Sequence, residues 1–179
     1  MPEASIGLRY ARALFRLSEQ EGNTESLQRE TRDLRVLVEE SADLSFFLNH
    51  ITLSTRQKDT IARALFEGKS SASLTRLVRF LAERGRLPIL PDICDAYDAL
   101  YRESRNILVA EVTSAYPLRD EQIESIRDKM KLRHGKTIEM KVDTDPALLG
   151  GFVIRVLDQV DDFSIKGKLE GLRTTLCAA

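Results

Sequence analysis

The sequence has no tryptophan, two cysteines, five prolines and only 6% aromatic residues in 179 positions. Two thiols, Cys94 and Cys177, stand far apart with no Cys-x-x-Cys partner and no neighbouring histidine, so they read as reduced thiols, neither a disulfide framework nor a zinc site. No window approaches the roughly 18 uninterrupted apolar residues of a membrane-spanning helix. The first residues, Met1-Pro2-Glu3-Ala4-Ser5, lack the basic start and apolar core of a secretory signal, so no targeting segment is expected. Charge of a dominant sign is also missing. The 27 Lys plus Arg are matched by 28 Asp plus Glu, for a net charge of −1. A nucleic-acid surface normally needs a basic excess, so nucleic acid is not expected as a partner.

Catalytic patterns are equally scarce. Gly-x-x-x-x-Gly-Lys-Ser/Thr, Gly-x-Gly-x-x-Gly and Gly-x-Ser-x-Gly do not occur, which removes the common nucleotide-binding and serine-nucleophile routes. His50 and His134, the two histidines, have no second ligand type at helical spacing, whereas metal ligation needs three or four converging donors. Asp143-Thr144-Asp145 begins like a calcium loop, but Ala147 stands where an oxygen donor belongs. A strand ending in an Asp-Pro turn describes it better. No catalytic residue, cofactor site or metal site is expected.

What is present is helical periodicity. Charged residues make up 31% and hydrophobic ones 42%, and from Ser5 to Asn106 short polar punctuation separates six amphipathic stretches. Their expected spans are 5–20, 24–40, 42–48, 55–66, 71–84 and 89–105. The second carries Leu27, Thr31, Leu34 and Val38 on one stripe, and Thr55 and Ser71 stand as N-cap candidates. After Asn106 the period changes. Ile107–Val112, Thr137–Asp143 and Phe152–Leu157 read as strands, with a helix from Pro117 to His134-Gly135 between the first two. A last helix from Ser164 aligns Ile165, Leu169, Leu172 and Leu176. The fold class is therefore mainly α, a six-helix bundle at 1–105 followed by a small α+β domain at 106–179. Each part is near-neutral, with 16 charges of each sign before Asn106 and 11 basic against 12 acidic from there on.

Two helices carry more apolar surface than one bundle core requires. At about 100° per residue, Ile6, Tyr10, Ala13, Leu14 and Leu17 gather on one side of the first helix and Leu8, Ala11 and Phe15 on the other. In the fifth, Leu74, Leu77, Val78, Phe80, Leu81 and Ala82 cover more than half the circumference. Surplus faces of this kind suit a groove for an amphipathic partner helix. The residues alone stop at a helical interaction module, either a connector inside a complex or a free-standing adaptor that binds an amphipathic helix of another partner.

Five segments sharpen this. Arg9-Tyr10-Ala11-Arg12-Ala13-Leu14-Phe15, Leu81-Ala82-Glu83-Arg84-Gly85-Arg86, Thr113-Ser114-Ala115-Tyr116-Pro117-Leu118 and Asp145-Pro146-Ala147-Leu148-Leu149-Gly150-Gly151-Phe152, followed by Asp162-Phe163-Ser164-Ile165-Lys166-Gly167-Lys168-Leu169, together resemble the delta subunit of the F-type ATP synthase. Its mitochondrial counterpart is the oligomycin-sensitivity conferring protein. The resemblance spans essentially the whole chain and implies a non-catalytic stator subunit of the peripheral stalk, supporting proton-driven ATP synthesis. It implies that helices one and five receive the N-terminal helix of an alpha subunit, with Tyr10, Ala13, Leu14, Leu74 and Val78 as groove residues. It further implies that the C-terminal domain engages the b subunits, and that the protein is peripheral, through the complex, to the cytoplasmic face of a bacterial membrane. Two departures stand out: family members commonly carry glycine near Leu157 and at Phe163.

Overall fold

The computed structural model describes residues 2–50, 53–68 and 70–177, and for residues 2–5, 171, 172 and 174–177 the backbone alone. The protein is mainly helical, with a small four-stranded sheet in its C-terminal part. Two compact units divide it, residues 1–104 and 105–179.

The first unit contains α1 (Pro2–Glu21), α2 (Thr24–Glu40), α3 (Ala42–Asn49), α4 (Thr55–Phe66), α5 (Ala72–Glu83), a 3-10 turn (Leu87–Ile89) and α6 (Leu90–Ser104). Helix α6 packs on α1 and α2, and α4 packs on α5. Tyr97, Leu27, Leu81, Leu87, Leu90 and Ile93 are among the fully buried side chains at the centre. A polar thread crosses this core. Ser18 Oγ lies 2.8 Å from the Tyr97 hydroxyl and donates to the Phe15 carbonyl at 2.7 Å. Burial without such partners would cost each hydroxyl on the order of 1–3 kcal/mol.

Local chemistry explains most helix boundaries. Ser71 accepts the Leu74 amide at the start of α5. At α4 the cap is Ser54 and not the expected Thr55. Its hydroxyl accepts from the Gln57 amide while the Gln57 side-chain oxygen accepts from the Ser54 amide. This reciprocal arrangement needs a Ser/Thr and a Gln/Glu three apart, which Ser54-Gln57 offers and Thr55-Lys58 does not.

Helix α1 corrects the two-face reading. Its buried line is Gly7, Ala11, Leu14 and Ser18, at i, i+4, i+7 and i+11. The two apolar sides are the flanks of that one stripe. Sequence hydrophobicity missed the centre because glycine and serine mark it. Small residues there permit close helix approach; a Cβ on Gly7 would stand 3.1 Å from Asp92 Cβ on α6.

The second unit holds β1 (Ile107–Ser114), α7 (Asp120–His134), β2 (Thr137–Thr144), a 3-10 turn (Pro146–Leu148), β3 (Phe152–Val156), β4 (Gln159–Asp162) and α8 (Ile165–Cys177). Sheet order is β2-β1-β3-β4, with β1 and β2 parallel and the other pairs antiparallel. A parallel pair needs a crossover, which α7 supplies. Leu108, Ala110, Val112, Ile138, Ile154 and Val156 form one buried sheet face, joined by Ile126 and Met130 from α7. Gly135 ends α7 in the left-handed conformation at φ 64°, with its amide donating to the Lys131 carbonyl at 2.8 Å. The fourth strand was not expected from the sequence. Gln159-Val160-Asp161-Asp162 has one apolar residue, and as an edge strand it pairs through backbone groups without needing an alternating face.

The described half of the apolar stripe expected along α8 is not covered by this unit's core. Ile165 and Leu169 are 49% and 53% exposed. Leu172 and Leu176 lie outside the described side chains.

Candidate functional site: an exposed apolar surface between two helices

Helices α1 and α5 meet along flanks, not centres. At one end of the contact Glu21 accepts from the Ser73 hydroxyl at 2.6 Å and lies 3.7 Å from Arg76. The Ser73 hydroxyl, with help from Asn23 and Arg76, holds the Glu21 carboxyl below its ordinary range. At the other end Tyr10 meets Phe80 edge-to-face, and the Tyr10 hydroxyl accepts from Arg86 at 3.0 Å. The Arg84 guanidinium sits 5.3 Å from the Phe80 ring centroid, a cation–π contact. Polar and charged clamps at each end thus bracket an apolar middle.

Helical spacing fixes which residues line that middle. Tyr10, Ala13 and Leu17 follow i, i+3, i+7 on α1, and Leu77 and Phe80 follow i, i+3 on α5. Tyr10, Leu17 and Leu77 are half-buried, while Ala13 and Phe80 are exposed. The five residues expected for the groove therefore separate. Tyr10 and Ala13 reach the surface. Leu14, Leu74 and Val78 are 5%, 2% and 0% exposed and belong to the core. The physical reason is the stripe geometry: these three sit at or near the middle of each helix's buried arc, beneath the surface and not on it. Leu74 turns further away, lining a separate cavity with α2 and α4. Leu17, Leu77 and Phe80, present in the apolar faces but absent from the expected groove set, are the apolar side chains that stay partly or largely open. A wheel centred on the buried residues Ala11 and Leu81 would have found them.

Several titratable groups of the same unit are shifted by burial and hydrogen bonding. Cys94 is buried, and burial, with a smaller contribution from Asp95, pushes its thiol up to about 12. Such a thiol is not a nucleophile at neutral pH. The Tyr97 hydroxyl is raised, chiefly by burial. Burial pushes the Asp59 carboxyl upward, but hydrogen bonds from Arg63 and Arg79 outweigh it and leave the group lowered. His50 stacks edge-on against Phe46, with ring centroids 4.7 Å apart. Among the described residues no group of three or more His, Cys, Asp or Glu side chains is placed to hold a metal.

In the second unit the Asp-Pro-Ala-Leu-Leu-Gly-Gly segment is a joint. Asp145 Oδ1 accepts from the Ala147 amide at 2.9 Å, capping the 3-10 turn. The Gly150 carbonyl accepts from the Ile165 amide at 2.9 Å and the Gly151 carbonyl from the Ala115 amide at 3.1 Å. The loop thereby stitches the end of β1 to the start of α8. Ser164 caps α8 by accepting from the Gly167 amide at 2.9 Å, and Asp162 accepts from the Ser164 amide at 2.7 Å. A Cβ on Gly167 would press on the Asp162 carboxylate, which would have to swing away from the Ser164 amide. Leu149, Phe163, Ile165 and Leu169 remain substantially exposed. No described helix is long and apolar enough to cross a membrane.

Comparison with known proteins places these two surfaces in a context. The family model described as "ATP synthase delta (OSCP) subunit" matches residues 6–176. The chain is 32% identical over 179 residues to the ATP synthase subunit delta of Desulfitobacterium hafniense strain DSM 10664 / DCB-2, covering 100% of both. It is 34% identical over 171 residues to that of Thermosynechococcus vestitus, covering 95% of this chain and 92% of the relative. Among solved structures, a chain of the Toxoplasma gondii mitochondrial ATP synthase hexamer superimposes with a TM-score of 0.72 at 28% identity, covering 97% of this chain and 98% of that one. With the whole length matched in sequence and in fold, the chain belongs to the ATP synthase delta (OSCP) subunit family.

Proposed function

We propose that this protein is a non-catalytic stator subunit of an F-type ATP synthase, joining the catalytic head to the peripheral stalk. The six helices of residues 1–105 act as one bundle and carry the head contact. Residues 106–179 engage the b subunits, so the protein is peripheral to the cytoplasmic face of a bacterial membrane through its complex. The observation that carries the reading is the apolar surface of Tyr10, Ala13, Leu17, Leu77 and Phe80, closed at each end by polar clamps.

That surface suits the N-terminal helix of an alpha subunit. An amphipathic helix laid along Ala13 meets a small side chain, which lets it approach closely, with Tyr10 and Phe80 as aromatic walls. Leu14 and Val78, both buried, form the rigid support below. A connector of this kind must hold the head still against shaft torque, for which nanomolar binding, about 12 kcal/mol, is of the useful order. Apolar contact, at about 25 cal/mol per Å² before the entropy cost of association is met, supplies the main favourable term and is little weakened by salt.

On the second unit, the exposed Ile165 and Leu169 of α8 support the b-subunit contact, since apolar residues at i, i+4 on a partly uncovered helix suit another helix. Titration of the full chain with a peptide of the alpha-subunit N-terminal helix tests the head contact. Saturable binding that is weakened by Phe80→Glu supports it; binding indifferent to Phe80→Glu removes the assignment of this surface. Recovery of the chain with soluble helical partners, and never with alpha or b subunits, would favour a free-standing adaptor instead.

A further inference from the structure

A second apolar groove opens on the first unit, away from the α1–α5 contact. Helix α2 packs on α6 and α4 packs on α5, and between α2 and α4 the surface is concave. Two cavities, of about 540 and 390 Å³, share Leu37, Leu65 and Phe66 and so form one trough. Its floor holds Leu34, Phe66 and Leu74, all buried, whereas the walls are open: Leu37 is 53% and Leu65 41% exposed. Solvated leucines facing each other across a gap are costly to leave uncovered.

Charge says what covers it. Glu30, Asp33 and Asp43 line the trough, and no lysine or arginine does among the described residues. Glu30 is held in place, its carboxylate accepting from the Ser71 amide at 2.9 Å. We propose that this trough is a second docking groove for an amphipathic helix of a partner protein, one whose apolar face is flanked by lysine or arginine. The leucine walls receive side chains spaced i, i+3, i+4, i+7, and the acidic lining pairs with the flanking cations and rejects helices edged with Glu or Asp. This groove is independent of the α1–α5 surface.

The test uses the full chain and two synthetic helices of about 18 residues, long enough to fold on contact. One carries leucine on one face and lysine at its edges; the other replaces the lysines with glutamate. Binding is followed by fluorescence anisotropy for wild type, Leu37→Glu, Leu65→Glu and Phe80→Glu, with circular dichroism confirming each fold. The lysine-edged helix is expected to bind, to lose about tenfold or more in affinity with either leucine variant, and to ignore Phe80→Glu. Equal binding of the two helices, or indifference to both leucine variants, overturns the proposal. So does concentration-dependent dimerisation abolished by Leu37→Glu, which would assign the trough to a second copy. Because Leu37→Glu leaves the α1–α5 surface intact, failure here and failure of the alpha-helix contact are read separately.

Discussion

Tyr10 on α1 and Phe80 on α5 meet edge-to-face, with ring centroids 6.0 Å apart and planes inclined at 62°. The pair fixes the spacing of two helices whose flanks stay open beside it, and Ala13 lies one turn further along α1. Ala13→Asp at this exposed position costs the helix less than about 1 kcal/mol of propensity. A partner helix seated there would bury an unpaired carboxylate, and affinity should fall at least about tenfold, or 1.4 kcal/mol. Unchanged circular dichroism and melting beside weakened binding is the expected pair of results.

The turn between β3 and β4 carries removable strain. Val156 pairs with Gln159, so Leu157 and Asp158 form a two-residue hairpin loop, and Leu157 takes φ 52°. Glycine is preferred in that position, and a left-handed leucine costs roughly 1–2 kcal/mol. Leu157 is 76% exposed, so its side chain contributes little packing. Leu157→Gly should raise the stability of the second unit by about 1 kcal/mol net of glycine's greater unfolded-state freedom. Chemical denaturation of the full chain, read for the transition of the sheet, checks it.

Gly151 behaves oppositely. Its φ is 80°, and an added Cβ would fall on the Phe163 carbonyl oxygen. That oxygen belongs to backbone at the joint between β4 and α8, so it cannot swing aside as a side chain could. Gly151→Ala should destabilise the second unit by more than about 2 kcal/mol, with amide exchange at Ile165 and Ala115 accelerating first.

How far the sequence reached differs between the two units for physical reasons. Helix spans and three strands were legible because apolar periodicity encodes burial directly. Strand β4 was not, since an edge strand pairs by backbone groups that every residue has. The centre of the α1 stripe was hidden by Gly7 and Ser18, whose burial reflects close helix approach and a hydrogen bond to Tyr97, not hydrophobicity. Leu14, Leu74 and Val78, groove residues by the resemblance, are buried in the core. Counting apolar residues on a wheel cannot tell a core arc from its flanks until the centre is known. The departure at Leu157 was visible as a missing glycine, but the positive φ that makes it costly appears only in the folded turn.

Acid should loosen the α8 joint. The Ser164 hydroxyl and amide both hold the Asp162 carboxyl below its ordinary 3.8. A folded value below the unfolded one means that the contribution is complete above about pH 5 and is lost as pH falls through the folded value. Asp162→Asn should flatten this part of the acid transition. The measurement is the second unit's unfolding midpoint between pH 5 and 2, wild type against variant.

The central claim, a connector held to the catalytic head through the α1–α5 surface, is tested most directly by binding the full chain to an ATP synthase head prepared without its delta subunit. Nanomolar dissociation for wild type, weakened about tenfold or more by Ala13→Asp and little affected by added salt, is the result expected. Absence of binding at micromolar concentration, or equal affinity for wild type and Ala13→Asp, would contradict it.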